Sequence, residues 1–476
     1  MRGRVVLLPL LLMLVPAAAS AARAPVAALA PADTLHFTIG QAVQRALEHG
    51  VEMRLAAANI SVANGRVREA FALALPQVNA SLTYGRKFDS IFKGVSADSG
   101  IGALFKNSSF AAVHSWSADL TGSQLLWSGG RVGAALGAAH ALRRSTAANR
   151  EETAARVTQL VRRAYLEAAF AGRVLEIAEA GLEQARAHMT QVALYKREGT
   201  RAEYDLIRAQ VDAANQEPPV VAARNDWQLA ILDLKRLMSL PLAQPIVLET
   251  PLAFPDGLVP VLDDETLDAS KRAALARAEA DVEERRQLLR LERASRWPQL
   301  TLSSTLSEQA FPPTERPRRD EFRRNLDASV KLEFPLFLGG RTFGAVQRAT
   351  AELRQAEVQR DQMRETIGLE AERARQEVRR TLAVLAARRG TAQLSQRAHY
   401  LASVRYSSGL ATQLEVSDAR LQMLTAQTNE VQATKDYLAA LVDLEYAVGH
   451  PLRTRGRPLN DISLLFDHEV TNHENE

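Results

Sequence analysis

Trp127-Ser128-Gly129-Gly130-Arg131 recurs as Phe337-Leu338-Gly339-Gly340-Arg341, 210 residues further along the chain. The same displacement relates Gly199 to Gly409, Leu234 to Leu444 and Pro241-Leu242 to Pro451-Leu452. Upstream, Leu75-Pro76-Gln77-Val78 matches Trp297-Pro298-Gln299-Leu300 at a displacement of 222, so the first copy carries 12 extra residues, placed within Phe88–Ala111. One shared Gly-Gly pair carries little information. Several markers in constant register mean a duplicated unit.

Downstream of each Gly-Gly-Arg turn the pattern is helical. Val157, Leu160, Ala164, Ala168, Ala171, Leu175, Ala178, Leu182, Ala185, Met189 and Val192 step by three and four. In the second copy Val346, Ala349, Leu353, Ala356, Met363, Ile367, Ala374, Val378, Leu382 and Leu385 step by three, four or seven. This narrow stripe is a coiled-coil seam rather than the broad buried face of a globular helix. Helices over 131–198 and 342–406 span about 100 Å each at ~1.5 Å per residue, too long for a compact domain. Gly199 and Gly409 mark turns, after which return helices run over 203–239 and 412–448. Pro218-Pro219 predicts a kink or break in the first of these.

Upstream of each turn lie two segments of strict alternation. Val78, Ala80, Leu82 and Tyr84 alternate with polar residues over about 77–85, and Trp116, Ala118 and Leu120 do so over about 114–126. In the second copy Leu300, Leu302 and Leu306 alternate over about 299–307, and Leu326, Ala328, Val330, Leu332 and Phe334 over about 325–334. Each segment is about ten residues long, the reach of a tilted membrane strand. A half-exposed strand in a soluble sheet alternates in the same way. The membrane reading is favoured by the export signal, by the matched strand lengths, and by polar loops (Phe88–Ala111 and Glu308–Arg323) that are long on one side only. Four strands are too few to close a barrel, so the sequence calls for an oligomer that pools its hairpins. Trp116, Trp127 and Phe337 suit an interfacial aromatic girdle or ordinary packing.

The expected organisation is a signal peptide over 1–21, a first repeat over 35–242, a linker over 243–262, a second repeat over 263–452 and a polar tail over 453–476. Each repeat opens with a helix, about 39–74 and about 264–295. Arg2 and Arg4, the apolar run Val5–Val15 and Ala19-Ser20-Ala21 form the signal. With no cysteine in 476 residues, disulfides, thiolate metal sites, a cysteine nucleophile and a lipid-anchored cysteine are all excluded. A formal charge of +4 is too small to suggest nucleic-acid binding. No HExxH, G-x-S-x-G, phosphate-binding glycine loop or metal-ligand spacing is present, so nothing points to an enzyme or to a cofactor.

Taken together, the paired Leu-Pro-Gln and Gly-Gly-Arg markers, the four strands, the two coiled-coil hairpins and the terminal Gly-His-Pro-Leu resemble the TolC family of outer-membrane efflux and secretion proteins. The resemblance runs from about Leu35 to Leu452. It implies a mainly α chain with a membrane β-barrel part: four strands per chain, a twelve-stranded barrel pooled in a homotrimer, and a long α-helical tunnel across the periplasm. It implies a passive exit duct set in outer-membrane lipid, with a periplasmic adaptor and an inner-membrane pump of RND or ABC type as partners. Its cargo would be small molecules or polypeptides. The rival reading is a periplasmic coiled-coil adaptor, although such a protein usually has one helical hairpin flanked by compact β domains.

The resemblance also nominates a periplasmic gate at the helix turns. In that pattern the second copy carries Tyr-x-x-Gly with acids six and nine residues after the Gly, here Tyr406, Glu415 and Asp418; the acid six after Gly199 is Asp205. The basic residue expected two after the second Gly is Ala411, whereas Arg201 holds the equivalent place in the first copy. A bland reading stands beside this one. Thr412-Gln413-Leu414-Glu415 and Thr200-Arg201-Ala202-Glu203 both have the capping-box pattern, so Glu415 in particular suits a helix cap.

Overall fold

In the computed structural model, residues 34–89, 112–252, 268–312, 314–454 and 457–458 are described. The expected signal peptide, most of the Phe88–Ala111 loop, the second half of the linker and most of the tail lie outside the described residues.

Each copy opens with helix. In the first, the chain runs through β1 (Leu35–Phe37), α1 (Ile39–His49) and α2 (Val51–Ala72). Thr38 caps α1 through a full capping box with Gln41, and Gly50 separates α1 from α2. In the second copy α6 (Ala273–Ala294) follows a single turn of 3-10 helix at Ala269–Lys271. The four long strands are β2 (Gln77–Arg86), β3 (His114–Trp127), β5 (Gln299–Ala310) and β6 (Arg323–Glu333). They form one antiparallel sheet in the order β2-β3-β5-β6.

The register of this sheet decides what its faces are made of. Leu82 pairs with Ala118, Ala80 with Leu120, Leu120 with Leu306 and Leu306 with Leu326. Partners opposite one another share a face, so the apolar members of all four strands line up on one side. Serines, threonines and charged residues occupy the other side, with Ser303 bonded to Ser329 at 2.8 Å and Ser307 donating to Asp119 at 2.5 Å. The apolar side is bare: Val78, Leu82, Leu326, Val330 and Leu332 are 63–72% exposed. Tyr84, Trp116 and His114 cluster at one end of it, with the Tyr84 hydroxyl 2.9 Å from His114 Nδ1 and the Tyr84 and Trp116 rings 4.8 Å apart.

After each hairpin the chain turns through two glycines of positive φ. Gly129 and Gly130 have φ of 61° and 87°, and Gly339 and Gly340 have 61° and 80°. Only glycine adopts this conformation without strain, which is why the pair survives in both copies. The second glycine is the N-cap of the long helix that follows: α3 (Arg131–Arg197) or α7 (Arg341–Ser407), each of 67 residues. At ~1.5 Å per residue each is about 100 Å long. No helix among the described residues is long and apolar enough to cross a membrane.

The return helix of the second copy, α8 (Gln413–Val448), is unbroken. That of the first is split at Gln216 into α4 (Glu203–Asn215) and α5 (Glu217–Leu237). Pro218 and Pro219 have no N–H to give the preceding turn, and they sit at the start of α5, where such donors are not needed.

The main core lies midway along the helices. Val161, Tyr165 and Leu166 of α3 pack with Leu234 of α5, Val378 and Leu385 of α7, and Tyr437, Leu438 and Leu444 of α8. The segment after the first repeat is more ordered than a plain linker. Its residues Ile246–Leu248 form β4, which pairs in parallel with β1 through Leu35 and Ile246. Tyr165 holds that clasp: its hydroxyl donates to Phe37 O and accepts from Thr250 N, both at 2.9 Å. The two copies are tied by Arg272, a buried side chain that bonds Glu370 and, at 3.2 Å, Glu152, beneath the ring of Tyr446 at 4.5 Å.

Candidate periplasmic gate

At the end of the helices remote from the sheet, both turns close by the same backbone scheme. Thr200 N bonds Tyr195 O at 3.0 Å, and Leu410 N bonds Arg405 O at 2.8 Å. Gly199 and Gly409, with φ of 75° and 73°, make the reversal possible.

A small core joins the two turns. Val192 of α3, Ala209 of α4, Tyr406 of α7, and Ala411 and Val416 at the start of α8 pack together. Tyr406 is 2% exposed. The Arg201 guanidinium lies over its ring, 4.5 Å from the centroid, and Nη2 donates to Tyr406 O at 3.4 Å. Arg201 therefore reaches from the first turn to the second, and the structure brings these two nominated residues together. Ala411, 8% exposed, explains the missing basic residue locally: its position is inside the apolar cluster. The Tyr406 hydroxyl is a buried oxygen without a hydrogen-bond partner. Burial pushes its pKa up; Arg201 opposes this, while Asp205 and Tyr195 add to it.

The three acids part company. Glu415 lies in a capping box, its Oε1 accepting from Thr412 N at 3.2 Å while Thr412 Oγ1 accepts from Glu415 N at 3.3 Å. The Thr412 N–H, helped by the Thr412 hydroxyl, holds the Glu415 carboxyl below its ordinary range. Asp418 is exposed and accepts from Gln422 at 2.9 Å on its own helix. Asp205 sits at the first turn of α4, where its backbone carbonyl meets the side chain of Gln413. With its amide oriented to satisfy both groups, Gln413 donates to Asp205 O at 2.9 Å and accepts from Ala209 N at 3.1 Å.

The first-copy capping box does not form. The N-cap of α4 is Ala202, with no side-chain bond, and Thr200 Oγ1 donates instead to Tyr195 O at 2.9 Å. Thr200 is already engaged in closing the turn, and Glu203 pairs with Lys196 at 2.9 Å.

Sequence reasoning missed one buried link. Arg420 of α8, with its side chain 3% exposed, is ion-paired with Asp212 of α4, which also accepts from Ser417 Oγ at 3.0 Å. His188 of α3 faces the same pair, and His399 of α7 faces Arg420. The signal was present. Arg420 continues the stripe of Val416, Met423 and Ala426, and Asp212 that of Ala209 and Ala213, so both are charges in apolar register. Among the described residues no group of three or more His, Cys, Asp and Glu is placed to hold a metal ion.

A sheet bare and apolar on one face is thus continuous with duplicated helical hairpins, the longer arm of each about 100 Å. The chain belongs to the outer membrane efflux protein family, which it matches over residues 42–239 and 268–450. It is 27% identical over 419 residues to the pyoverdine export outer membrane protein OpmQ of Pseudomonas aeruginosa, covering 86% of this chain and 84% of that protein. Its fold is that of the Campylobacter jejuni CmeC outer membrane channel (TM-score 0.71, 16% identity, 86% of this chain and 85% of that one). It is also that of VceC from Vibrio cholerae (TM-score 0.69, 19% identity, 87% and 96%). The family is one of outer membrane efflux proteins, CmeC is an outer membrane channel and VceC an outer membrane protein.

Proposed function

We propose that three copies of this chain close one twelve-stranded barrel and serve as the passive exit duct of a tripartite efflux or type I secretion system. The observation that carries this reading is the state of the sheet. Among the described residues nothing pairs with the outer edges of β2 and β6, and nothing covers the apolar face. Four strands cannot curl shut, and an open edge in a membrane leaves unpaired backbone groups in hydrocarbon. Pairing β6 of one copy with β2 of the next satisfies both edges and turns every apolar face towards lipid.

The helical part then spans the periplasm and meets a periplasmic adaptor and an inner-membrane pump of RND or ABC type. The duct performs no catalysis, binds no cofactor, and leaves the choice of cargo to the pump. The similarity to a pyoverdine export protein supports small molecules over polypeptides. At the periplasmic end the Arg201–Tyr406 contact, together with Asp205, is the lock, and Glu415 is the helix cap. Asp418, exposed on α8, adds negative charge at the entrance.

Outer-membrane fractionation and heat-modifiable, SDS-resistant migration at three times the chain mass test the assembly. A protein that stays soluble in the periplasm as a monomer would instead be an adaptor, and the duct reading would fall.

A further inference from the structure

Near the gate four helices bring together a set of ionisable groups that the lock itself does not use. His188 projects from α3, nine residues before its end. Its ring meets Tyr406 of α7 edge-on, with centroids 5.2 Å apart and planes at 62°. Its Nε2 is sealed from solvent without a hydrogen-bond partner. The charged and titratable groups facing it are Asp212 from α4, His399 from α7 and Arg420 from α8. Asp212 is already committed to Arg420 and Ser417, so it is not free to receive an imidazolium. Around the neighbouring Tyr406 stand Arg201, Asp205 and Tyr195.

We infer that His188 is a proton-sensitive wedge in the closed tip: a proton on its imidazole loosens the contact between the first and second helical hairpins, so mild acid favours opening. The inference rests on the gate reading given above. A protonated Nε2 is a buried N–H without an acceptor, on a cation beside the Arg420 guanidinium, and both effects are unfavourable. Neutral imidazole, by contrast, buries no charge and packs edge-on against the aromatic ring. Splaying the hairpins gives the ring water and removes the penalty.

The direction with pH follows. Burial, and next the Arg420 charge, lower the His188 pKa below its ordinary 6.5, with Asp212 opposing them and His399 adding to them. A depressed histidine leaves the closed packing at full strength above that ordinary value. The strength is lost as pH falls through it towards the lowered one.

The test uses the full mature protein in planar bilayers at about pH 7.5 and about pH 5.5, spanning the range in which histidine titrates. Wild type is expected to gain open probability several-fold on acidification. His188→Gln, which keeps bulk and polarity but cannot take a proton, is expected to lose that gain, and His399→Gln to retain it. If His399→Gln alone abolishes the response, or if His188→Gln responds like wild type, His188 is not the sensor. Arg201→Ala separates this from the gate reading. If Arg201→Ala opens the channel at neutral pH while His188→Gln keeps the acid response, the gate stands and the wedge falls. Titration of 13C-labelled histidine by NMR supplies a readout that needs no channel: a His188 resonance titrating at 6.5 or above overturns the proposal.

Discussion

Thr412 and Ala202 occupy the same place in the two copies, 210 residues apart, and each is the N-cap of a return helix, yet only Thr412 bonds the helix it precedes. The first hairpin therefore starts its return helix without a side-chain cap, whereas in the second Thr412 satisfies the Glu415 N–H. Ala202→Ser should supply the missing cap and stabilise α4 by about 0.5–2 kcal/mol, and Thr412→Ala should weaken α8 by a similar amount. Amide exchange over residues 203–207 and 413–417 reads both changes; equal exchange in wild type and variants would refute the difference.

The same cap gives a pH dependence. The Glu415 carboxyl is held below its ordinary 4.5 by the Thr412 N–H and hydroxyl, with Arg405 adding to this. A depressed carboxylate contributes stability above the ordinary value, and the contribution is lost as pH falls through the lowered one. Fraying of residues 413–417 should increase in wild type as pH falls below about 4.5, whereas Glu415→Gln, which already lacks the charge, should show no such change with pH. Channel conductance of Glu415→Gln at neutral pH should match wild type; a clear rise would make Glu415 part of the lock.

In the proposed lock, the ring of Tyr406 should matter and its hydroxyl should not, because that oxygen has no partner. Arg201→Ala and Tyr406→Leu each remove a cation–π contact worth about 0.5–2 kcal/mol, which shifts the open-to-closed ratio by roughly two- to thirtyfold. Tyr406→Phe should be nearly silent alone, and Asp205→Ala combined with Tyr406→Phe should raise single-channel conductance only through the lost carboxylate. Unchanged conductance and ion selectivity in Arg201→Ala would dispose of the lock.

The sheet offers a sharp contrast between neighbours. Val330 lies on the apolar face and Ser329 on the polar one. An arginine at position 330 should cost about 2–4 kcal/mol near the bilayer midplane and reduce assembled protein in the outer membrane, whereas one at position 329 should be tolerated. Equal yields from Val330→Arg and Ser329→Arg would mean that the face does not meet lipid.

Arg272 is the joint between the copies. Its buried guanidinium is shared by Glu152 and Glu370, and Tyr446 donates to Glu152 at 2.7 Å across the same pocket. Arg272→Ala leaves Glu152 with only the Tyr446 hydroxyl and the Ala274 N–H, and the half-exposed Glu370 to solvent, and should lower the thermal midpoint. A thermal midpoint within error of wild type would show that the network contributes little.

Much of this was legible in the sequence because periodicity survives where one face must stay apolar. Val78–Tyr84 and Leu326–Leu332 alternate because the sheet has a dry side and a wet one. The α3 stripe from Val157 to Val192 keeps its step because Val157, Ala168, Ala171, Ala185 and Val192 are buried along it, although Leu160 is exposed and the core beside it is filled by Val161 and Tyr165. What was hidden rests on pairing across long separations. The Leu35–Ile246 pairing joins three-residue strands, too short to carry a period. Arg420 and Asp212 are 208 residues apart, and although each stands in apolar register on its own helix, nothing in either stripe says which charge faces it. Thr200 fits a capping pattern, but the turn geometry had already claimed it.

The near-identical glycine turns at 129–130 and 339–340 give the two units the same backbone course at the sheet-to-helix junction. A ring of three such chains therefore has a wall that repeats almost six times around the axis. The proposed lock would not share that symmetry: Arg201 has Ala411 as its counterpart, so each link would recur only three times. An assembly that mixed wild-type and Arg201→Ala chains would keep one intact link for every wild-type chain, and its closing strength would fall in three steps, with the six-fold wall unaltered.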